Sequence, residues 1–388
     1  MAEYFFMPPM SITGAGALKS AGDEMVAEGY GKALIVTDEV LHRKVRATKV
    51  LMDMLTKLSI EYAVYDRVTP NPTVAEVQAG AQMLKAEDCD FIISFGGGSP
   101  HDCAKGIGIV ANNGGSIRDY AGVNRMKTKM LPMFAVNTTS GTGSEMTRFA
   151  IITDEEQQSK FPVVDWRCTP SVSVDDPELM VGMPPGLTAA TGMDALSHAI
   201  EAYVSTAATP LTNPGALHAM QLVVKSLPTA YKDGKNEQAR SDLTYAEFLA
   251  GMAFNNASLG YVHAMSHQVG GVYHNLAHGA INAVLMPYVE AYNAKAVPDR
   301  FIDIANAMGA KDRNLSAEQA VDYVLTKIRA LNQELNIPST LAELGVEESA
   351  IPHMAANALN DPCCLTNPRQ VSSVQEMENL FRQALHGN

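Results

Sequence analysis

A run of three glycines, Gly96-Gly97-Gly98, continuing as Ser99-Pro100-His101-Asp102, separates two segments of different periodicity. Residues 91–95 (Phe-Ile-Ile-Ser-Phe) are almost continuously apolar, which predicts a buried parallel strand. Residues 100–110 carry apolar side chains at helical spacing, which predicts a helix. Strand, glycine turn and helix in that order confine this part of the chain to an α/β architecture. The pattern recurs on either side. Residues 33–37 form another short apolar run, bounded by Gly31 and Asp38, and 133–137 form a third that leads into Thr138-Thr139-Ser140-Gly141-Thr142-Gly143-Ser144-Glu145. Helical spacing at 44–58 and 74–86 fills the interval between the first two strands.

Glycines after a strand let backbone N–H groups approach a phosphate closely, and the N-terminus of the next helix adds partial positive charge. A tight turn uses glycines as well, so the run alone does not decide. The loop at 138–145 offers hydroxyls and flexible backbone of the same kind. Two such loops at strand C-termini favour a nucleotide ligand, because open parallel sheets bind ligands at that edge. The run is not GxGxxG, and Asp38, the acidic residue suited to a ribose, precedes the glycines instead of following them by ~20 residues. An ordinary Rossmann arrangement is therefore not expected.

After the turn-rich Asp175-Asp176-Pro177 and Met183-Pro184-Pro185-Gly186, strand signals stop and helical periodicity takes over, at 188–204, 214–226, 241–255, 298–308, 317–331 and 374–385. The expected division is an α/β dinucleotide-binding domain over 1–185 and an all-α domain over 186–388. On the first of these helices Asp194 and His198 stand one turn apart on one face. Further on, four of the chain's ten histidines, His263, His267, His274 and His278, fall within sixteen residues. A single helical histidine is more often a packed or surface residue than a ligand. Four together, preceded by an Asp/His pair at i, i+4, point to one divalent metal ion. Oxygen and nitrogen donors without thiolate suit Fe(II), Zn(II), Mn(II) or Ni(II) alike.

The remaining composition narrows the function class. A formal net charge of −13, without basic runs or interleaved aromatics, argues against nucleic acid or an anionic membrane as partner and for a small-molecule substrate. No stretch approaches ~18 uninterrupted apolar residues and the N-terminal segment lacks a basic, then apolar, leader pattern, which predicts a cytoplasmic protein. Five cysteines, Cys89, Cys103, Cys168, Cys363 and Cys364, include no CxxC pair, which fits reduced thiols.

Gly96 to Asp102, Thr138 to Glu145, Leu187-Thr188-Ala189-Ala190-Thr191-Gly192-Met193-Asp194-Ala195-Leu196-Ser197-His198, and His263-Ala264-Met265-Ser266-His267-Gln268-Val269-Gly270-Gly271 together resemble the motifs of the iron-containing (group III) alcohol dehydrogenase family, through nearly the whole chain. The resemblance implies an N-terminal dinucleotide-binding α/β domain and a C-terminal helical domain, as in dehydroquinate synthase and glycerol dehydrogenase. It implies Asp194, His198, His263 and His278 as metal ligands, with Fe(II) first and Zn(II), Mn(II), Mg(II) or Ni(II) as alternatives. It makes His267 a catalytic neighbour that does not bind the metal. The family has one residue fewer between the later ligands, so His274 is the alternative to His278. For NAD the implied contacts are Asp38 at the adenosine ribose, Gly96, Gly97, Gly98 and Ser99 at the pyrophosphate, and Thr138, Thr139, Thr142, Lys160 and Leu187 toward the nicotinamide. Asp38 favours NAD over NADP, since a carboxylate accepts from a 2′-hydroxyl and repels a 2′-phosphate. Phe149, Phe254 and Cys363 fall where the family lines its substrate pocket. The segment His267-Gln268-Val269-Gly270-Gly271-Val272-Tyr273 is similar to that of methanol and 1,3-propanediol dehydrogenases, which implies NAD-linked interconversion of short primary alcohols and aldehydes. A glycerol-type polyol dehydrogenase is the alternative, with a dehydroquinate synthase-like lyase behind it. Relatives assemble as dimers or decamers, so a homo-oligomer is expected.

Overall fold

The computed structural model describes residues 4–157 and 159–387. The chain divides into two compact units, one ending at Val181 and lacking only Ser140–Thr142, the other made of Ser140–Thr142 and the chain from Gly182 onward.

The first unit contains β1 (Met10–Thr13), α1 (Ala17–Ala27), β2 (Lys32–Val36), α2 (Lys49–Lys57), β3 (Glu61–Tyr65), α3 (Val74–Ala86), β4 (Phe91–Gly96), α4 (Gly98–Asn113), β5 (Gly122–Val123), β6 (Met133–Asn137), β7 (Phe149–Asp154), β8 (Ser159–Val164) and β9 (Val172–Asp175). Six strands form an all-parallel sheet in the order β1-β9-β6-β4-β2-β3. Alternate residues of each central strand feed different cores. Ala33, Ile35, Phe91 and Ile93 pack with α1 and α2 residues such as Met25 and Leu51, whereas Leu34, Val36 and Ile92 pack with Val77, Cys103 and Ile107 of α3 and α4. Covering on both faces explains why these strands read as unbroken apolar runs.

The order of the sheet also accounts for Asp38. β2 pairs in parallel with β4, Val36 opposite Ser94, and β4 pairs with β6, Gly96 opposite Asn137. The segments beginning at Asp38, Gly96 and Thr138 therefore leave neighbouring strands at the same edge. Gly96 has φ 153°, and a Cβ there would stand 2.5 Å from Pro100 Cγ, so the turn into α4 needs glycine.

Three sequence expectations differ from the structure. The helix read over 44–58 starts only at Lys49, because Val40–Lys44 forms a separate π-type turn and Arg46 takes a left-handed φ of 54°. The short strands β1, β3 and β9 were not expected. Nor was the three-stranded sheet β5-β8-β7, whose β7 alternates half-buried and buried positions and pairs antiparallel with β8.

At the end of β7 the Asp154 carboxylate receives two bonds from Arg118, at 2.7 and 2.9 Å, and caps the backbone N–H groups of Glu156 and Gln157. Arg118 first, then those N–H groups, hold its pKa down at about 2 from an ordinary 3.8. A carboxyl whose folded pKa is depressed contributes stability that is fully present above its unfolded pKa and is lost as pH falls through the folded one. Tm measured between pH 5 and pH 2 is therefore expected to fall less steeply in Asp154→Asn than in the parent; parallel curves would contradict this.

The second unit is helical: α5 (Pro185–Val204), α6 (Asn213–Lys232), α7 (Glu237–Ala257), α8 (Tyr261–Val272), α9 (His278–Asn293), α10 (Arg300–Ala307), α11 (Ala317–Glu334), α12 (Ile351–Ala358) and α13 (Val374–His386). α5 is buried on every face from Thr188 to Val204 and packs against α6, α7 and α9, which makes it the axis of this unit. Its start is fixed by Arg240 of α7, fully buried, which donates to the Gly234 carbonyl at 2.9 Å, Thr188 Oγ1 at 3.0 Å and the Met183 carbonyl at 3.3 Å. Among the described residues, no helix is long and apolar enough to cross a membrane.

Candidate metal centre

α5, α8 and α9 bring one carboxylate and three imidazoles together inside the second unit. Asp194 Oδ1 lies 3.7 Å from His263 Nε2, 3.7 Å from His278 Nε2 and 4.0 Å from His198 Nε2. Asp194, His263 and His278 have donor atoms within 4.8 Å of one another, while His198 borders this trio. The His198 ring stacks on His263 at 4.5 Å and on Phe254 at 4.3 Å between centroids. His274 is exposed in the turn between α8 and α9, so the position beside Asp194 belongs to His278.

Each imidazole is anchored through its Nδ1. His198 Nδ1 meets the Gly141 carbonyl at 3.1 Å, His263 Nδ1 meets Glu201 Oε2, and His278 Nδ1 meets Ser266 Oγ at 2.9 Å. Carbonyl and carboxylate accept, so Nδ1 of His198 and His263 carries a proton and Nε2 is the nitrogen left to face a cation. Partners of this kind orient imidazoles for metal binding. Asn282 reports where the lone pairs meet: its Nδ2 donates to Asp194 Oδ1 at 2.7 Å and stands 3.1 Å from both His263 Nε2 and His278 Nε2. Three acceptors that one small donor reaches at once form a single convergent donor set, of a kind that fits a divalent cation.

The electrostatics agree. Burial pushes the His263 pKa down, but Glu201 and Asp194 outweigh it and raise it to about 9, so the two carboxylates call for positive charge. Burial lowers His198 to about 4, which keeps its imidazole neutral. Burial raises the Asp194 pKa, but His198 and His278 overcome this and hold it below the usual carboxylate range.

A close backbone approach makes this possible. A Cβ on Gly279 would collide with the Ala190 carbonyl and stand 3.0 Å from Asp194 Cβ, so only glycine lets the first turn of α9 reach α5. Gly279→Ala is expected to cost about 1–3 kcal/mol by overpacking and to weaken metal retention together with stability. Unchanged Tm and metal content would contradict the fit.

His267, one turn beyond His263, presents Nδ1 to Asp361 Oδ2 at 2.8 Å, and its ring stacks on His278 at 5.5 Å. The other expected residues divide between the units. Asp38, Gly96, Gly97, Gly98, Ser99, Thr138, Thr139, Phe149 and Lys160 lie in the first; Thr142, Leu187, Phe254 and Cys363 lie in the second. In the first, a Cβ on Gly97 would stand 2.9 Å from Thr139 Cγ2, so the glycine loop packs directly on the Thr138–Thr139 segment. Asp38 Oδ1 accepts from the Leu41 N–H at 2.8 Å, and Lys160 Nζ donates to Asn71 Oδ1 at 2.8 Å.

Sequence reasoning missed Glu201, Asn282 and Asp361. Glu201 lies at i+7 from Asp194 and i+3 from His198, and Asn282 at i+4 from His278, so helical spacing carried a signal for both. Asp361 follows His267 by 94 positions and left none.

Two family models cover the chain: "Iron-containing alcohol dehydrogenase" over residues 8–177 and "Fe-containing alcohol dehydrogenase family, C-terminal" over 188–385. Alcohol dehydrogenase 4 of Saccharomyces cerevisiae is 48% identical, over 96% of each chain. The NAD-dependent methanol dehydrogenase of Bacillus methanolicus is 46% identical, over 98% of this chain and 99% of its own. The crystal structure of a 1,3-propanediol oxidoreductase superposes with a TM-score of 0.96 at 45% identity, over 99% of this chain and 100% of that one. With both halves matched in order and relatives this similar over their full length, the chain belongs to the iron-containing alcohol dehydrogenase family of oxidoreductases.

Proposed function

We propose that this chain is an NAD-linked dehydrogenase of short primary alcohols and diols that uses one divalent metal, Fe(II) first, held by Asp194, His198, His263 and His278. The observation that carries the metal assignment is the convergence of Asp194 Oδ1 with the Nε2 atoms of His263 and His278 on one point, marked by Asn282 Nδ2. When bound, the metal polarises the alcohol or aldehyde oxygen and the nicotinamide exchanges the hydride.

The rest is the work of side chains. Asp194 supplies negative charge at the cation, and Gly141, Glu201 and Ser266 keep the three imidazoles turned toward it. Asp361 holds His267 by Nδ1, which fits a relay that moves the hydroxyl proton through the ring to solvent. Phe254, stacked on His198, gives that side of the centre an apolar wall suited to a short carbon chain, and Cys363 of the same unit is assigned to that pocket.

The N-terminal domain, 1–185 in the sequence division, would hold NAD, with Gly96 to Ser99 and the α4 N-terminus at the pyrophosphate and Thr138, Thr139 and Lys160 toward the nicotinamide. Asp38, on the strand beside the glycine loop, favours the 2′-hydroxyl of NAD. The helical domain, 186–388, would be the metal-binding catalytic part. The NAD-dependent methanol dehydrogenase and the 1,3-propanediol oxidoreductase among the relatives support both the cofactor and the substrate class. Against the lyase, which calls for basic residues around a phosphate-bearing substrate, the hydrogen bonds and ion pairs of Asp194, His198, His263 and His278 involve no lysine or arginine among the described residues. We assign the protein to the cytoplasm as a homo-oligomer, dimer or decamer.

The test is NAD reduction by C1 to C4 alcohols and diols, using metal-stripped protein reloaded separately with Fe(II), Zn(II), Mn(II), Mg(II) and Ni(II). Activity restored by Fe(II) with short primary alcohols is expected. Metal bound without NADH from any alcohol would overturn the reading.

A further inference from the structure

A second donor cluster lies one imidazole away from the first. His267, Asp361 and Cys363 each offer a ligand atom, and these atoms lie within 4.8 Å of one another. We propose that these three side chains form a second, thiolate-bearing cation site that takes a soft divalent ion such as Zn(II), and that filling it withdraws His267 from the reaction.

The chemistry of the donors separates the two sites. The first set contains only imidazole and carboxylate, whereas the second adds sulfur, which favours zinc and other thiophilic ions. Around tetrahedral zinc, S, N and O donors at their usual bond lengths stand roughly 3.3–3.6 Å apart. His267 Nδ1 and Asp361 Oδ2 are 2.8 Å apart and need open only slightly to admit an ion, and all three donor atoms already lie within 4.8 Å of one another. All three side chains are half-buried, which leaves an ion a way in.

The backbone that presents them is fixed locally. Asp361 caps a short 3-10 turn, Pro362–Thr366, by accepting from the Cys363 N–H at 2.9 Å, while its other oxygen faces His267. Cys364, next in sequence, points away and donates its thiol to the Ala358 carbonyl at 2.9 Å. Burial and the neighbouring carboxylates keep the Cys363 thiol protonated. Binding is therefore an exchange in which Zn(II) takes the Cys363 thiolate, whose proton passes to solvent, while the His267 proton moves from Nδ1 to Nε2 and the bond from Nδ1 to Asp361 is given up, without redox change. The His267 ring, stacked on His278, then serves the second ion instead of relaying a proton. That consequence rests on the proposed role of His267; the site itself does not.

Cobalt(II) tests this in the full-length protein, because only a sulfur ligand gives an intense thiolate-to-cobalt charge-transfer band in the near ultraviolet. Two cobalt ions per chain are expected, with the band present. Cys363→Ser is expected to bind one ion and lose the band, and Cys364→Ser to keep both ions and the band. One cobalt per chain with no band would overturn the second site and leave the first intact. A band that persists in Cys363→Ser would overturn it as well. No cobalt bound at all would overturn both sites.

Discussion

Asp194→Asn is expected to lose most bound metal and, with it, metal-dependent NADH formation. Asparagine keeps the shape but not the charge, and leaves the cation with neutral donors alone. Asp194 is almost fully buried, so the missing charge is not replaced by water. Removing one partner from a buried ionic set costs about 3–5 kcal/mol. On the scale of 1.36 kcal/mol per factor of ten, that is roughly a 10²–10⁴-fold loss of metal affinity. Metal content after dialysis, alongside activity with added metal, checks it. Full metal content in the variant would show that Asp194 is not a ligand.

The second large effect belongs to Glu201, which touches no cation. Its two oxygens accept from the Val262 N–H at 2.7 Å and from His263 Nδ1, so one buried side chain both caps the first turn of α8 and fixes the tautomer of His263. Glu201→Leu leaves both donors unpaired in a dry site. Partners behind a liganding histidine change affinity about 10–100-fold when removed. Glu201→Gln keeps an acceptor and is expected to recover much of the loss. Competition with a chelator of known affinity measures the difference, and Tm reports the capping part. Leu and Gln variants with equal metal affinity would contradict the orienting role.

How much of this could be read in advance depended on how far apart the partners lie along the chain. Asp194 and His198 were legible because four residues bring them to one helix face, and the same geometry extends to Glu201, where the sequence reading stopped one turn short. His278 over His274 was not decidable by spacing, because the turn between α8 and α9 sets which histidine heads α9. Asp361 was invisible: its contact with His267 comes from the packing of a short turn against α8, which no local pattern encodes.

The sheet divides in the same way. The central strands β2, β4 and β6 were legible as apolar runs, and β6 lies at 133–137 as expected. The edge strands β1 and β3 were not, because four exposed or half-buried residues in β1 and three in β3 dilute the apolar signal. The place of Asp38 is the clearest case of topology deciding which segments lie together. It precedes the glycine loop by almost sixty residues, yet the parallel pairing of β2 with β4 sets both at one sheet edge.

The most direct test of the metal centre is anomalous diffraction from crystals of the protein loaded with one equivalent of Fe(II). The account predicts a single strong peak within bonding reach of an Asp194 oxygen and of the Nε2 atoms of His198, His263 and His278. A peak elsewhere, or one that the Asp194 carboxylate does not reach, would contradict it.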